Sequence, residues 1–372
     1  MAHEICKATE NRLFNINIYG ILFDMRTIYP CYCRKLAVKI CFLQIFAFSL
    51  YGVSCEAAFQ QPTVKWSVEN LPYGIEERQT LNVLFPKEGN EGHAIVYLHG
   101  GFYFAGNKLW FPSFLTEFSE NNIFATIGYR LIDNQLLSFN DSTVSAQSKV
   151  CIDDMLADVH NALLKLRQSA NDNGYYIKSI ILVGHSAGGH LSLLYSYKYL
   201  QENDPEGIII TAVVNLAGPS DYSDDFGWSS MGWYGNTVEA RLQMLSTIGS
   251  ALAGYPIELR QYNWASQNNF YEYLPHVKRL SPIMYINEHA NIPPTLIVHG
   301  LEDRCVPYSN SVKLSAALER YSVIHRFITT TGSASDHMLG GSPAGLESIT
   351  PITYNNVAWV DETIAWINQF VD

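Results

Sequence analysis

From about Phe59 onward, short apolar runs alternate with amphipathic stretches. HAIVYLHG (93–100), IFATIGYRL (123–131), SIILVGHS (179–186), IITAVVNLAG (209–218), PTLIVHG (294–300) and VIHRFITTTG (323–332) have strand length, and most of them end in glycine. Such runs suit strands covered on both faces of a parallel sheet. TLNVLFP (80–86) predicts an antiparallel edge strand. Between the runs, Ile152, Met155, Leu156, Val159, Leu163 and Leu166 recur at helical spacing, as on a helix with one buried face. HLSLLYSYKYL (190–200), SNSVKLSAALERY (309–321) and NNVAWVDETIAWINQF (355–370) predict three more helices. Repeated strand–helix units imply a mostly parallel central sheet flanked by helices, with the strand C-termini aligned along one rim where ligands bind.

One segment interrupts the alternation. Residues 222–278 hold Trp228, Trp233, Tyr234, Tyr255, Tyr262, Trp264 and several further aromatics, with a helical piece at 238–254 and no clear strand. Lying between two sheet strands, it is expected to sit over the rim as a cap insertion. Trp228, Trp233 and Tyr234 are its candidate substrate-binding residues.

Composition narrows the function classes. A net charge of -11 with no basic run leaves no electrostatic footprint for nucleic acid. Five of the seven cysteines fall within the first 55 residues, and no CxxC pair occurs, so neither a zinc site nor a disulfide framework is expected. The N-terminal part reads as an address. Basic RKLAVK (34–39) precedes apolar ICFLQIFAFSLYGV (40–53). That run is shorter than the ~20 residues of a membrane span and fits the apolar region of a secretory signal. Residues 1–58 are therefore a targeting segment, with 1–24 open to a misassigned start at Met25, and residues 59–372 a single catalytic domain. The expected destination is secretion or the cell envelope. Cys55 offers a lipid-attachment alternative, weakened by Gly52 where a leucine is usual.

The chemistry is carried by GHSAGGH (184–190), between the SIILV strand and a helix. A strand–turn–helix junction strains the serine backbone and needs small neighbours, which Gly184 and Gly188 supply. Ser186 is thus the candidate nucleophile. It needs a base and an orienting acid, which follow in the order acid, then histidine, in this type of junction. His337, in the loop GSASDHMLGG, can reach over the rim. His190 follows the serine within its own helix, His299 reads as a packed strand-end residue, and His325 lies inside a predicted strand. Asp303, in HGLEDRCVP at the end of the preceding strand, is the candidate acid, with Asp221 the alternative. Glu302 and Asp336 fit less well by spacing. HGGFYFAG (99–106), after another strand, supplies a glycine loop for an oxyanion hole: Gly101, Phe102 and Ala187 are the candidate N–H donors, Gly100 being left open.

With those residues in place, the chain resembles α/β-hydrolase-fold esterases of the carboxylesterase, feruloyl-esterase-like and kynurenine-formamidase-like groups. The resemblance rests on YLHGGFYFAGNK, ILVGHSAGGHLSLL, LAGPSDYSD, PTLIVHGLEDRCVP and DHML. It implies a serine hydrolase that cleaves carboxylic esters through an acyl-enzyme, without metal or organic cofactor, on a small-molecule or carbohydrate-linked substrate. Phe102 stands where the hormone-sensitive-lipase-like group has a third glycine. An arylformamidase-type amide hydrolase is the enzymatic alternative, and a non-catalytic binding protein on the same fold is the rival class.

Overall fold

The computed structural model describes residues 64–133, 148–203, 206–224, 231–232, 237–254, 275–341, 351–354 and 357–371. All lie in the compact unit Gln60–Asp372. Residues 1–58, expected to be a targeting segment and including Cys55, lie outside the described residues, as do Trp228, Trp233 and Tyr234 and most of the aromatic insertion. No described helix is long and apolar enough to cross a membrane.

Eight strands form one sheet: β1 (Val64–Pro72), β2 (Thr80–Pro86), β3 (Glu91–Leu98), β4 (Ile123–Ile127), β5 (Tyr176–His185), β6 (Ile210–Leu216), β7 (Thr295–Gly300) and β8 (His325–Thr330). Their order is β1-β2-β4-β3-β5-β6-β7-β8. The pairs β1–β2 and β2–β4 are antiparallel, and from β4 through β8 every neighbouring pair is parallel. Thr80–Pro86 is antiparallel as expected, but it is not the edge. It is paired on both sides, and β1, which the apolar pattern did not single out, lies outside it. The physical reason is visible in VKWSVENLP: charged and polar residues break the run, as an outermost strand tolerates.

Strand periodicity divides the core into two layers. Ala94, Val96 and Leu98 of β3 join a buried cluster with Met155, Leu156, Val159 and Leu163 of α1 (Ile152–Asp172). Ile95 and Tyr97 face the opposite cluster, which contains Trp359, Trp366 and Ile367 of the C-terminal helix α5 (Ala358–Asn368). Successive side chains of a strand alternate in this way by geometry. Helix α2 (Ala187–Leu194) runs on through a π turn (Tyr195–Tyr199) to Asn203 and is buried along its first two turns. Helix α4 (Tyr308–Arg320) packs Leu314 and Leu318 with Ile297 of β7. Within the aromatic insertion, α3 (Val238–Ala253) contributes Met244, Ile248, Ala251 and Leu252 to the α1-side cluster. Its last residue, Ala253, accepts a hydrogen bond from Arg279 (2.6 Å), which also pairs with Asp153 in the first turn of α1.

Candidate active site

Strand order decides which loops meet. β4 lies on one side of β3 and β5 on the other, so the chain reverses its winding at β3, and a crevice opens at the strand C-termini there. Leu98 at the end of β3 is in register with Gly184 of β5, which sets the HGG loop beside the serine turn. A Cβ on Gly100 would sit 3.1 Å from the Ser186 Cβ. On the other flank, Gly300 of β7 is in register with Thr330 of β8, so the loops carrying Asp303 and His337 emerge side by side.

Ser186 stands between β5 and α2 with φ 54° and ψ -121°. A side-chain-bearing residue avoids that region unless its surroundings hold it there. The turn closes so tightly that a Cβ on Gly184 would overlap the Gly188 carbonyl, and one on Gly188 would overlap the Leu98 carbonyl. Two backbone bonds lock it: Ser186 N–H donates to Leu216 O (2.8 Å), and His190 N–H donates to Ser186 O (3.0 Å). Ala187 opens α2, and the N–H groups of a helix's first turn have no acceptor within their own helix.

His337 bridges the other two candidates. Its Nε2 lies 2.9 Å from Ser186 Oγ and its Nδ1 2.7 Å from Asp303 Oδ2. Asp303 is buried, and its Oδ1 accepts N–H bonds from Cys305 (2.7 Å) and Val306 (2.9 Å). Burial alone would raise the Asp303 carboxyl, but His337 and then His299 hold it well below the usual carboxylate range. An ionised Asp303 fixes the proton of His337 on Nδ1, which leaves the Nε2 lone pair for the serine hydroxyl. The backbone carbonyl of His337 is itself held by His185 Nε2 at 2.9 Å.

The HGG loop turns back on itself at Gly101 (φ 123°), where Phe104 N–H and Ala105 N–H both return to the Gly101 carbonyl. Phe102 and Tyr103 follow with positive φ of 54° and 67°. The Phe102 ring lies 6.3 Å from that of His337 and stacks on Phe104 at 5.8 Å. Tyr103 is anchored at both ends: its carbonyl accepts Ile132 N–H (2.9 Å), and its hydroxyl meets His190 Nδ1 (2.9 Å) and Tyr222 Oη (2.6 Å). His190 also reaches Leu280 O through Nε2 (2.6 Å). Its position in the helix after the serine gave no sign of this linking role, because both partners are distant in sequence.

The remaining acid candidates bond to groups other than the His337 ring. Asp221 Oδ1 accepts from the Ser223 N–H and hydroxyl, and its Oδ2 faces Lys313. Asp336 Oδ1 accepts Gly340 N–H, and Glu302 accepts the Ser335 hydroxyl. Among the described residues, one trio offers metal-ligand atoms within 4.8 Å of one another: Asp303, Cys305 and His337. Two of its members are already bonded to each other.

This sheet, with a serine on a strained strand–helix turn and an acid and a histidine on the next loops, defines an α/β-hydrolase. The chain belongs to the BD-FAE family, whose model matches residues 81–318. It is 31% identical over 130 residues to Esterase-5A of Drosophila persimilis, covering 34% of this chain and 23% of the fly protein. It is 24% identical over 309 residues to a probable isoprenylcysteine alpha-carbonyl methylesterase, ICMEL1, of Arabidopsis thaliana, covering 79% of this chain and 56% of that one. The chain thus spans about a quarter of the fly esterase and just over half of the plant protein. Among solved structures, a truncated carbohydrate esterase from gut microbiota superposes with a TM-score of 0.54 at 19% identity, covering 82% of this chain and 96% of the other. Esterase B of Lactobacillus rhamnosis does so with a TM-score of 0.56 at 16% identity, covering 90% and 93%. These two likenesses concern the fold.

Proposed function

We propose that the chain is a serine esterase that hydrolyses carboxylic esters through an acyl-enzyme. The observation that carries this reading is His337 bridging Ser186 Oγ at 2.9 Å and Asp303 Oδ2 at 2.7 Å, the geometry a serine, its base and an orienting acid require. Ser186 Oγ attacks the acyl carbon while His337 Nε2 takes its proton. The same proton passes to the departing alcohol oxygen as the acyl–oxygen bond breaks. Water, deprotonated by His337, then releases the acid and restores Ser186. Asp303 stays ionised throughout and stabilises the imidazolium. Gly101, Phe102 and Ala187 N–H groups stabilise the oxyanion, and the N-terminus of α2 adds its dipole.

Family membership and the esterase relatives favour an ester over a formamide. The carbohydrate-esterase fold neighbour and the Phe102–Phe104 stack beside His337 favour aromatic or acetylated-carbohydrate esters. The basic and apolar stretches at 34–53 support an exported enzyme, which mapping of the mature N-terminus in culture medium and envelope fractions tests.

The direct test is hydrolysis of p-nitrophenyl acetate by the purified protein beside Ser186→Ala. Loss of the nucleophile is expected to remove several orders of magnitude of rate, roughly 10⁴-fold or more. Equal rates for the two folded proteins would overturn the reading and favour a binding protein on this fold.

A further inference from the structure

Asp303 Oδ2 has a second imidazole neighbour. His299, the penultimate residue of β7, is fully buried, and its Nε2 lies 3.1 Å from that oxygen. The same Nε2 lies 3.2 Å from the Val306 carbonyl, and Nδ1 lies 2.6 Å from Ser311 Oγ on α4. These partners assign the tautomer. Val306 O can only accept, so Nε2 carries the proton. Nδ1 is therefore the acceptor, and the Ser311 hydroxyl donates to it. The proton on Nε2 then also faces Asp303. A chain of five side chains results: Ser311 to His299 to Asp303 on one side, and Ser186 to His337 to Asp303 on the other.

We infer that His299, oriented by Ser311, is a positioning residue for the reaction: it anchors Asp303 Oδ2 and limits how much of its charge His337 receives. The inference rests on the serine-esterase reading above. A carboxylate accepts about four hydrogen bonds: here Cys305 and Val306 N–H fill two places on Oδ1 and His337 Nδ1 a third on Oδ2, and the His299 Nε2 proton, shared with the Val306 carbonyl, faces the fourth. The two backbone donors hold Oδ1 in place whatever happens at Oδ2. Removing His299 therefore leaves the carboxylate near its position but concentrates its charge on His337. That favours the imidazolium, in which Nε2 can no longer accept the serine proton. Other titratable groups nearby are His185, with its ring 5.1 Å from His337, Tyr308, with its ring 5.7 Å from His299, and the Cys305 thiol. Among the described residues, the side chains that reach Oδ2 are the two histidines.

The test is the pH profile of kcat/KM for p-nitrophenyl acetate, run on wild type, His299→Leu, His299→Gln, Ser311→Ala and Ser186→Ala. Leu removes the donor, whereas the Gln amide nitrogen can occupy the Nε2 position and keep it. For His299→Leu the acid limb is expected to move upward by about half a pH unit. Its kcat is expected to fall roughly tenfold with KM unchanged, because one of the two anchors on Oδ2 is lost. His299→Gln stays close to wild type, and Ser311→Ala shifts the limb in the same direction by less. An acid limb of His299→Leu at the wild-type position overturns the inference, as does a His299→Gln variant as impaired as His299→Leu. If His299→Leu does not fold, Ser311→Ala decides: an upward limb supports the inference and an unmoved one overturns it. Wild-type turnover equal to that of Ser186→Ala sinks the esterase reading itself, and this inference with it.

Discussion

Three histidines at the rim are held neutral by burial, and this makes the fold sensitive to mild acid. His99, His185 and His190 are each 1% exposed or less. Loss of solvent lowers His99 and His185 from 6.5 to about 3 and His190 to about 4. Above pH 6.5 both folded and unfolded chains carry these rings neutral, and no penalty exists. Below it the unfolded chain binds three protons that the folded chain refuses, so stability falls as pH falls, down to the folded values near 3 to 4. Each ring costs about 1.4 kcal/mol per pH unit in that window. Together they remove about 4 kcal/mol by pH 5.5 and about 8 kcal/mol by pH 4.5. Domains of this kind have about 5–15 kcal/mol in total, so the loss by pH 4.5 is a large share of it and unfolds a domain in the lower part of that range. Asp303, held low in the fold, adds to the loss only below the ordinary carboxylate range. The assay is urea unfolding followed by tryptophan fluorescence at half-unit steps from pH 7.5 to 4.5. The expected slope below pH 6 is about 4 kcal/mol per pH unit, against nearly zero above pH 7. His99→Asn, which keeps a donor near Nδ1 for the Gly100 carbonyl, should reduce the slope by about a third. A slope under about 1 kcal/mol per unit between pH 6 and 5 would refute the assignment of these rings as buried and neutral.

Two further substitutions probe the frame around the site. Tyr103→Phe deletes the hydroxyl between His190 and Tyr222; it is expected to lower stability by about 1–3 kcal/mol by thermal unfolding and to reduce kcat more than it raises KM, since it loosens the HGG loop rather than a substrate contact. Asp158 is fully buried and takes a two-pronged hydrogen bond from Arg130 and an amide bond from Gln79; Asp158→Ala should cost about 3–5 kcal/mol in a urea titration, with the surviving folded fraction retaining its specific activity.

Much of this was legible in the sequence, and the exceptions share one physical cause. The apolar runs, most of them ending in glycine, together with TLNVLFP marked seven of the eight strands. GHSAGGH, HGLEDRCVP and DHML marked the residues that meet at the rim, because each is a local pattern tied to a strand end. What sequence could not display was pairing over long separations. β1 is half-polar, so its strand identity comes from its partner β2 rather than from its own pattern. His299 was read as a packed strand-end residue, and it is one, but its contact with Asp303 Oδ2 depends on how the loop after β7 folds back. His190 and Tyr103 are 87 residues apart, and His185 and the His337 carbonyl 152 apart. No spacing rule links such pairs; the sheet order brings them together.

The acid sensitivity and the site geometry therefore follow from the same choice of side chain. A neutral imidazole is short, rigid and two-ended, with one donor and one acceptor. At the rim of a parallel sheet, loop carbonyls and hydroxyls end up buried and need partners. His185 supplies a donor to the His337 carbonyl, His99 one to Gly100 O, and His190 joins Tyr103 to Leu280. Lysine or arginine in those places would bury a full charge, and serine is too short to span from a helix to a facing loop. Histidine meets the need only while neutral. Protonating any of the three would strip its acceptor nitrogen or bury a charge against the loops that carry Gly101, Phe102 and His337. Acidification should accordingly act on esterase activity twice: reversibly, as the acid limb of the pH profile in an intact fold, and again at the unfolding transition, where His337 is displaced together with the loop that His185 holds.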